Sequence, residues 1–376
     1  MNKDTGLGVD RRSFLKSSVA GSAGLMLSSK LPLFAVGGES KIDNINVAQI
    51  GVGAQGQVLM QSLMKIPGLN VVAICDIWEK FNLRRGMGLW RKTGHKPAGY
   101  TDFREMLEKQ PDLDAVIVAT PDFWHAPITN ACLKAGIHVY CEKMMSNTHE
   151  GAVSMVRTAK ESGKLLQIGH QRRSNPRYQF VKKHLIDENK VCGRITNVNG
   201  QWNRAVTDPL GYPLKYTIKD DILNKYGFED MHQFRNWRWF KGLGGGPISD
   251  LGAHQIDIYG WFLGANPKAV TASGGADYYD SLEWHDNVMA IYEFDTAQGP
   301  VRAFYQVLTT TSAGGGYFEY FMGDEGSIKM SENPKFTTVF REANAPSWNK
   351  LVDDGILKKQ GEAAVRPWQV PLPVRQ

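Results

Sequence analysis

Gly51-Val52-Gly53-Ala54-Gln55-Gly56 stands between the apolar run Ile45–Ile50 (INVAQI) and the amphipathic stretch Gln57–Ile66. Strand, glycine-rich turn and helix, in that order, form the phosphate-binding element of a dinucleotide site. Gly51 permits the tight turn, Gly53 lets the backbone approach a pyrophosphate, and Gly56 lets the helix pack closely on the strand. Ala54 and Gln55 complete the turn, where the helix N-terminus offers unpaired N–H groups to phosphate. A second apolar strand, Asn70–Cys75, ends in Asp76, twenty residues past Gly56. A carboxylate there binds ribose hydroxyls and repels a 2′-phosphate, so NAD is expected over NADP. Arg84 and Arg85, further along the next helix, soften that preference.

At 376 residues the chain is too long for one typical domain. It is 42% hydrophobic and 22% charged, enough to bury a sizeable core. The net charge of +6 is spread along the chain without a nucleic-acid-type basic run. No apolar run is long enough for a membrane span in the mature chain. Cys75, Cys132, Cys141 and Cys192 form no C-x-x-C pattern and read as buried free thiols.

Residues 1–40 read as an address rather than as fold. Asp10-Arg11-Arg12-Ser13-Phe14-Leu15-Lys16 is a twin-arginine pattern, followed by the modestly apolar Ser17–Ser29. A charged region and then a short apolar one is export-signal grammar. The Tat translocase is the expected partner, with the mature protein periplasmic or exported. Leu33-Phe34-Ala35 is a fair cleavage site; an uncleaved segment would serve as an anchor. Outside the cytoplasm free cofactor is not at hand, so the nucleotide is expected to be tightly held.

From Asn44 the pattern alternates apolar strands and helices, predicting a doubly wound parallel Rossmann sheet over 41–172. Ligands bind outside the carboxyl ends of such strands. Ala119-Thr120-Pro121 follows one strand and places Thr120 near a nicotinamide ribose. His125, just beyond, reads either as a ligand contact or as a structural residue at a helix start. Glu142-Lys143 follows the next strand, an unusual place for a lysine, and Gly169-His170-Gln171-Arg172-Arg173 the one after.

The glycine turn, Ala119-Thr120-Pro121 with His125, Glu142-Lys143, and Gly244–Asp257 (GGGPISDLGAHQID) resemble the Gfo/Idh/MocA family of sugar oxidoreductases from about residue 44 to 330. That family usually reads Glu-Lys-Pro, where this chain has Met144. The resemblance implies an NAD(P)-dependent dehydrogenase with a mostly antiparallel, open-sheet C-terminal α/β domain, here 173–345. A carbohydrate substrate and a homo-oligomer (dimer or tetramer) are expected. Residues 346–376 read as an irregular tail: cut short, variant, or extended onto a partner subunit.

On the helix after Gly244–Pro247, Asp250, His254 and Asp257 share one face by spacing. By resemblance His254 is the base, Lys143 lowers the barrier or shares the proton, and Asp250 orients both. Candidate cofactor contacts are Gly51, Gly53, Ala54, Gln55, Gly56, Asp76, Thr120, Pro121, His125, Glu142 and Lys143. Arg172, Tyr178, Trp202 and Arg238 join Asp250 and His254 as substrate contacts, and no metal site is expected. An aromatic-rich insertion, 207–241, reads equally as a sugar-stacking surface or as a packed loop. The leading reading is an exported sugar or glycoside dehydrogenase. A glycoside hydrolase using NAD transiently is the nearest rival, and a non-catalytic sugar-binding protein the third reading.

Overall fold

The computed structural model describes residues 44–333, 337–359 and 367–369. The twin-arginine stretch and the cleavage candidate lie outside the described residues.

Strands β1 (Ile45–Ile50), β2 (Leu69–Cys75), β3 (Ala98–Tyr100), β4 (Ala115–Val118), β5 (His138–Glu142) and β6 (Leu166–Gly169) form one sheet in the order β3-β2-β1-β4-β5-β6. The pairs run parallel, as in β1 with β4 and β5 with β6. The order reverses between β1 and β4, which is where a doubly wound sheet opens a crevice. Ala48, Ile50, Val116, Val118, Val139 and Cys141 fill the core beneath. The helices named below are α1 (Ala54–Leu63), α2 (Arg84–Arg91), α3 (Phe103–Lys109), α4 (Asp122–Lys134) and α5 (His149–Ser162). One boundary differs from the periodicity: α1 begins at Ala54, because Gly53, extended at φ −65° and ψ −163°, already ends the turn. α4 begins at Asp122, directly after Pro121, with Pro127 inside it.

The second sheet is nine-stranded: β7 (Ile195–Asn203), β8 (Pro267–Gly275), β9 (Asn287–Thr296), β10 (Gly299–Leu308), β11 (Tyr317–Gly323), β12 (Gly326–Met330), β13 (Thr338–Arg341), β14 (Lys358–Lys359) and β15 (Pro367–Gln369). Its order is β14-β15-β13-β12-β11-β7-β10-β9-β8. Only β7 with β10 is parallel among the described pairings of this sheet. Helix α6 (Gly252–Leu263) covers one face, burying Ile258, Tyr259 and Phe262 against Val198, Ala303 and Phe321. On β8 and β9, Val270, Met289 and Ile291 are exposed. The tail is less irregular than its composition suggests: β15 pairs with β13 and β14, extending the sheet. Two- and three-residue strands are too short to show a period.

All four cysteines are free and buried. Burial pushes the Cys132, Cys141 and Cys192 thiols up to about 12, which leaves them un-ionised and inert.

Candidate functional site

The glycine turn has the expected division of labour. Gly51 adopts φ +90°, and a Cβ there would run into the Ala119 carbonyl on β4's exit. A Cβ on Gly56 would strike the Gly51 carbonyl. Gly53 is different, because its Cβ would meet only Asn82 Nδ2, at 3.9 Å. Its backbone therefore faces open space at the start of α1. No side chain caps that helix, and its first turn holds no acidic residue. An anionic ligand fits such a terminus. Gly53→Ala should leave the melting temperature unchanged, since the extended backbone suits any residue. NADH affinity should fall about a hundredfold as the methyl enters the pyrophosphate's place; fluorescence titration measures it.

Asp76 anchors the glycine turn. Its carboxylate accepts from Val52 N at 2.9 Å and Trp78 N at 2.8 Å, so it fixes the glycine turn to the end of β2. Burial raises its pKa in spite of these bonds. Across the crevice, Thr120 Oγ1 is buried and has no hydrogen-bond partner among the described residues. A ligand hydroxyl over Pro121 and Thr120 would satisfy it. Gln55 donates to Glu142 Oε1 at 3.1 Å, and Tyr140 donates to the same oxygen at 3.3 Å. Glu142 thus ties β5 to the turn carrying Ala54 and Gln55.

His125 is not a ligand contact. It is 1% exposed, with Nδ1 2.5 Å from the Met144 carbonyl and Nε2 2.8 Å from the Thr120 carbonyl. It braces two crevice turns, and no ring atom is left for a cofactor. Sequence alone left both readings open because a histidine at a helix start serves either.

Lys143 and Asp250 do come together. Lys143 Nζ donates to the Asp250 carbonyl at 2.5 Å and lies 3.3 Å from its Oδ1. Arg238 Nε reaches the same Oδ1 at 3.0 Å. Burial opposes the charge on Asp250, but Arg238 and Lys143 outweigh it and hold the carboxyl well below the usual range. Arg238, expected on substrate, instead engages Asp250. The helix is also broken here: Gly246–Asp250 ends at Leu251 before α6 begins, and no side chain caps it. His254, on the first turn of α6, packs its ring 5.6 Å from Trp202. Burial, then Lys143 and Arg172, push its pKa down to about 2, with Asp250 a partial offset. The imidazole is therefore neutral, and its burial opposes protonation.

The sequence reading missed Asp122. It is 6% exposed at the start of α4, within the fields of Arg238, Lys143 and Asp250. Burial raises its pKa to about 7 despite the two cations. An acid whose folded pKa lies above its unfolded value of 3.8 binds more protons folded than unfolded between those values, so stability falls as pH rises from about 4 to 7. Asp122→Asn removes that loss. Its melting temperature should exceed the wild type's at pH 8, with the gain shrinking toward pH 4 in a melting series.

Arg172 and Tyr178 are not substrate contacts. Arg172 is 1% exposed and ion-paired with Glu319, which also accepts from the Tyr178 hydroxyl at 2.7 Å. Both lie within the second domain's core. Trp202 stacks on Tyr317 at 4.6 Å and stands beside His254. Asp257 leaves the expected trio. It takes a bidentate bond from Arg173, at 2.9 and 2.8 Å, and lies 3.6 Å from His170 Nδ1. These three line a cavity of about 750 Å³ with Met144 and Trp261; neither Asp250 nor His254 lines it.

Residues 45–170 match the family described as "Oxidoreductase family, NAD-binding Rossmann fold" (GFO_IDH_MocA). Residues 183–329 match the "GFO/IDH/MocA C-terminal domain". The chain is 30% identical over 241 residues to scyllo-inositol 2-dehydrogenase (NADP(+)) IolW of Bacillus subtilis (strain 168), covering 63% of this chain and 56% of that protein. It is 32% identical over 190 residues to a glycosyl hydrolase family 109 protein of Stenotrophomonas maltophilia (strain K279a), covering 47% of this chain and 40% of that protein. The chain thus spans about half the length of the curated relatives it matches. A levoglucosan dehydrogenase solved with NADH superposes with a TM-score of 0.64 at 19% identity, covering 88% of this chain and 80% of that one. That likeness is one of fold.

Proposed function

The chain belongs to the Gfo/Idh/MocA family of oxidoreductases with an NAD-binding Rossmann domain, and on that premise we propose that it is an NAD(P)-dependent dehydrogenase acting on a sugar or glycoside hydroxyl. The observation that carries the reading is Lys143 and Asp250 in contact beside a neutral, buried His254. Thr120, Gly53 and the uncapped start of α1 fit the dinucleotide. When bound, its nicotinamide supplies the hydride acceptor.

This chain's own residues handle the proton. Neutral His254 accepts it from the substrate hydroxyl. Lys143 stabilises the negative charge developing on the substrate oxygen, and Asp250 with Arg238 fixes where Lys143 points. Burial is the main cause of the depressed imidazole pKa, and negative charge developing nearby would offset only the lesser part due to Lys143 and Arg172. Asp76 favours NAD over NADP, the cofactor in the name of the Bacillus relative. We further propose a protein exported by the twin-arginine route, with its nucleotide loaded first. It would be homo-oligomeric through the exposed apolar side chains of β8 and β9.

The likeness to the family 109 hydrolase supports a second reading, in which sugar oxidation is transient. One experiment separates the two. Nicotinamide absorbance is followed while purified protein is screened against sugars, polyols and aryl glycosides. A lasting rise with sugar or polyol supports the dehydrogenase. Release of p-nitrophenol without net absorbance change supports the hydrolase. Silence across the panel sinks both and favours a sugar-binding protein.

A further inference from the structure

The aromatic insertion does not stand apart as a sugar platform. Trp237, Tyr226, Phe228, Met231 and Leu223 form one cluster with Trp78, the residue two past Asp76. The contacts continue across three loops of the Rossmann sheet. After β2, Trp78 Nε1 donates to the Tyr216 carbonyl at 2.5 Å, Phe81 packs 5.5 Å from the Tyr216 ring, and Arg235 lies over Trp78. After β3, the Tyr226 hydroxyl donates to the Thr101 carbonyl at 2.9 Å, and Lys225 pairs with Asp102 at 3.0 Å. After β4, Trp124 Nε1 donates to the Tyr226 carbonyl at 3.0 Å, and Phe123 meets Phe228 edge-on at 5.4 Å.

All three loops lie at the carboxyl ends of their strands, the edge on which a doubly wound sheet binds its ligand. Asp76 marks the adenosine ribose on that edge. The same segment then passes to the catalytic side, where Arg238 bonds Asp250 and the Gly242 carbonyl accepts from Asn147 at 2.6 Å. We infer that residues 207–243 form a second wall of the dinucleotide site, a strap over its adenosine side that retains the nucleotide and delivers Arg238 to Asp250. This rests on the dinucleotide reading above.

The strap has a mechanical consequence. Trp78 and Phe81, which follow Asp76 on that edge, are themselves locked into the insertion's core. Exchange of the nucleotide therefore requires the strap to lift from the loops after β2, β3 and β4. Lifting it also pulls Arg238 from Asp250, so the lifted state loses one of the contacts that fix Asp250 beside Lys143.

The test uses the full chain carrying Tyr226→Phe with Lys225→Ala. The pair removes the bonds to Thr101 and Asp102 and leaves the aromatic core in place. Protein loaded with NADH is chased with excess ADP-ribose, and the loss of bound-NADH fluorescence gives the off-rate. The variant should release NADH about tenfold faster at an unchanged melting temperature. In parallel, hydrogen exchange is followed on nucleotide-stripped wild-type protein. ADP-ribose, which lacks the nicotinamide, should protect amides within 207–243. A folded variant with the wild-type off-rate, or a strap whose exchange ignores ADP-ribose, overturns the strap while leaving the dinucleotide site standing. Wild-type protein that binds neither NADH nor ADP-ribose overturns the dinucleotide reading itself, and the strap with it.

Discussion

Lys143→Met should lower turnover about a hundred- to a thousandfold while NADH still binds. Three observations set that size. Lys143 Nζ spends its donors on Asp250, at the carbonyl and the carboxylate, so the charge is fixed in place before substrate arrives. A fixed charge aimed at a developing oxyanion typically contributes about a hundred- to a thousandfold. Its loss also frees Asp250 from one of the cations that hold it ionised, leaving Arg238 and Arg204. Methionine keeps the length and the buried stem, so packing changes little. Stopped-flow absorbance with pre-bound nucleotide reads the chemical step, and fluorescence reads binding. Turnover within tenfold of wild type would remove Lys143 from the mechanism. His254→Ala should behave alike but spare the Lys143–Asp250 contact.

Arg172→Leu unfolds the second domain more readily than any change at the crevice. Arg172 and Glu319 are 1% and 0% exposed, and the Tyr178 hydroxyl completes the pair. Burial raises Glu319 to about 6 even with Arg172 opposing it. Without the guanidinium, the carboxyl is a buried acid with one hydroxyl partner. Breaking such a pair costs about 3–5 kcal/mol. Replacing both partners by apolar residues is often neutral, so Arg172→Leu with Glu319→Leu should recover much of the loss. Urea unfolding of the single and double variants tests this. A double variant no more stable than the single would show that the network is not acting as a unit.

The sequence made the Rossmann half legible because its signals are local. A glycine turn, an apolar strand on each side and an acid at fixed distance need no knowledge of distant chain. The Lys143–Asp250 contact was reachable only through family likeness, since 107 residues separate the two. Three features were hidden for distinct reasons. β3 is three residues long and includes Gly99, so it lacks any apolar run. Asp122 follows a proline at a helix start, where an acid is ordinary. The insertion's aromatic residues are half of a cluster whose other half, Trp78, Phe81, Phe123 and Trp124, lies in the first domain. Arg172 was misassigned because its counter-charge, Glu319, sits in a strand 147 residues away. Charge in sequence reads as surface until its partner is known.

The parallel pairing of β7 with β10 carries a consequence for how such a chain changes over time. Parallel neighbours cannot be joined by a tight turn; the chain must travel out and return. Here that excursion, from Asn203 to Gly299, holds residues 207–243, α6, β8 and β9. Lengthening a connection that is already long costs little, roughly 0.6 kcal/mol per doubling. The sheet therefore tolerates exchange of its strap as a cassette, provided the short helix Gly246–Asp250 and α6 still return Asp250 and His254 to the crevice. Related enzymes can acquire a new grip on nucleotide or substrate by swapping this one excursion, with the hydrogen-bonded ladder of β7 and β10 left unaltered.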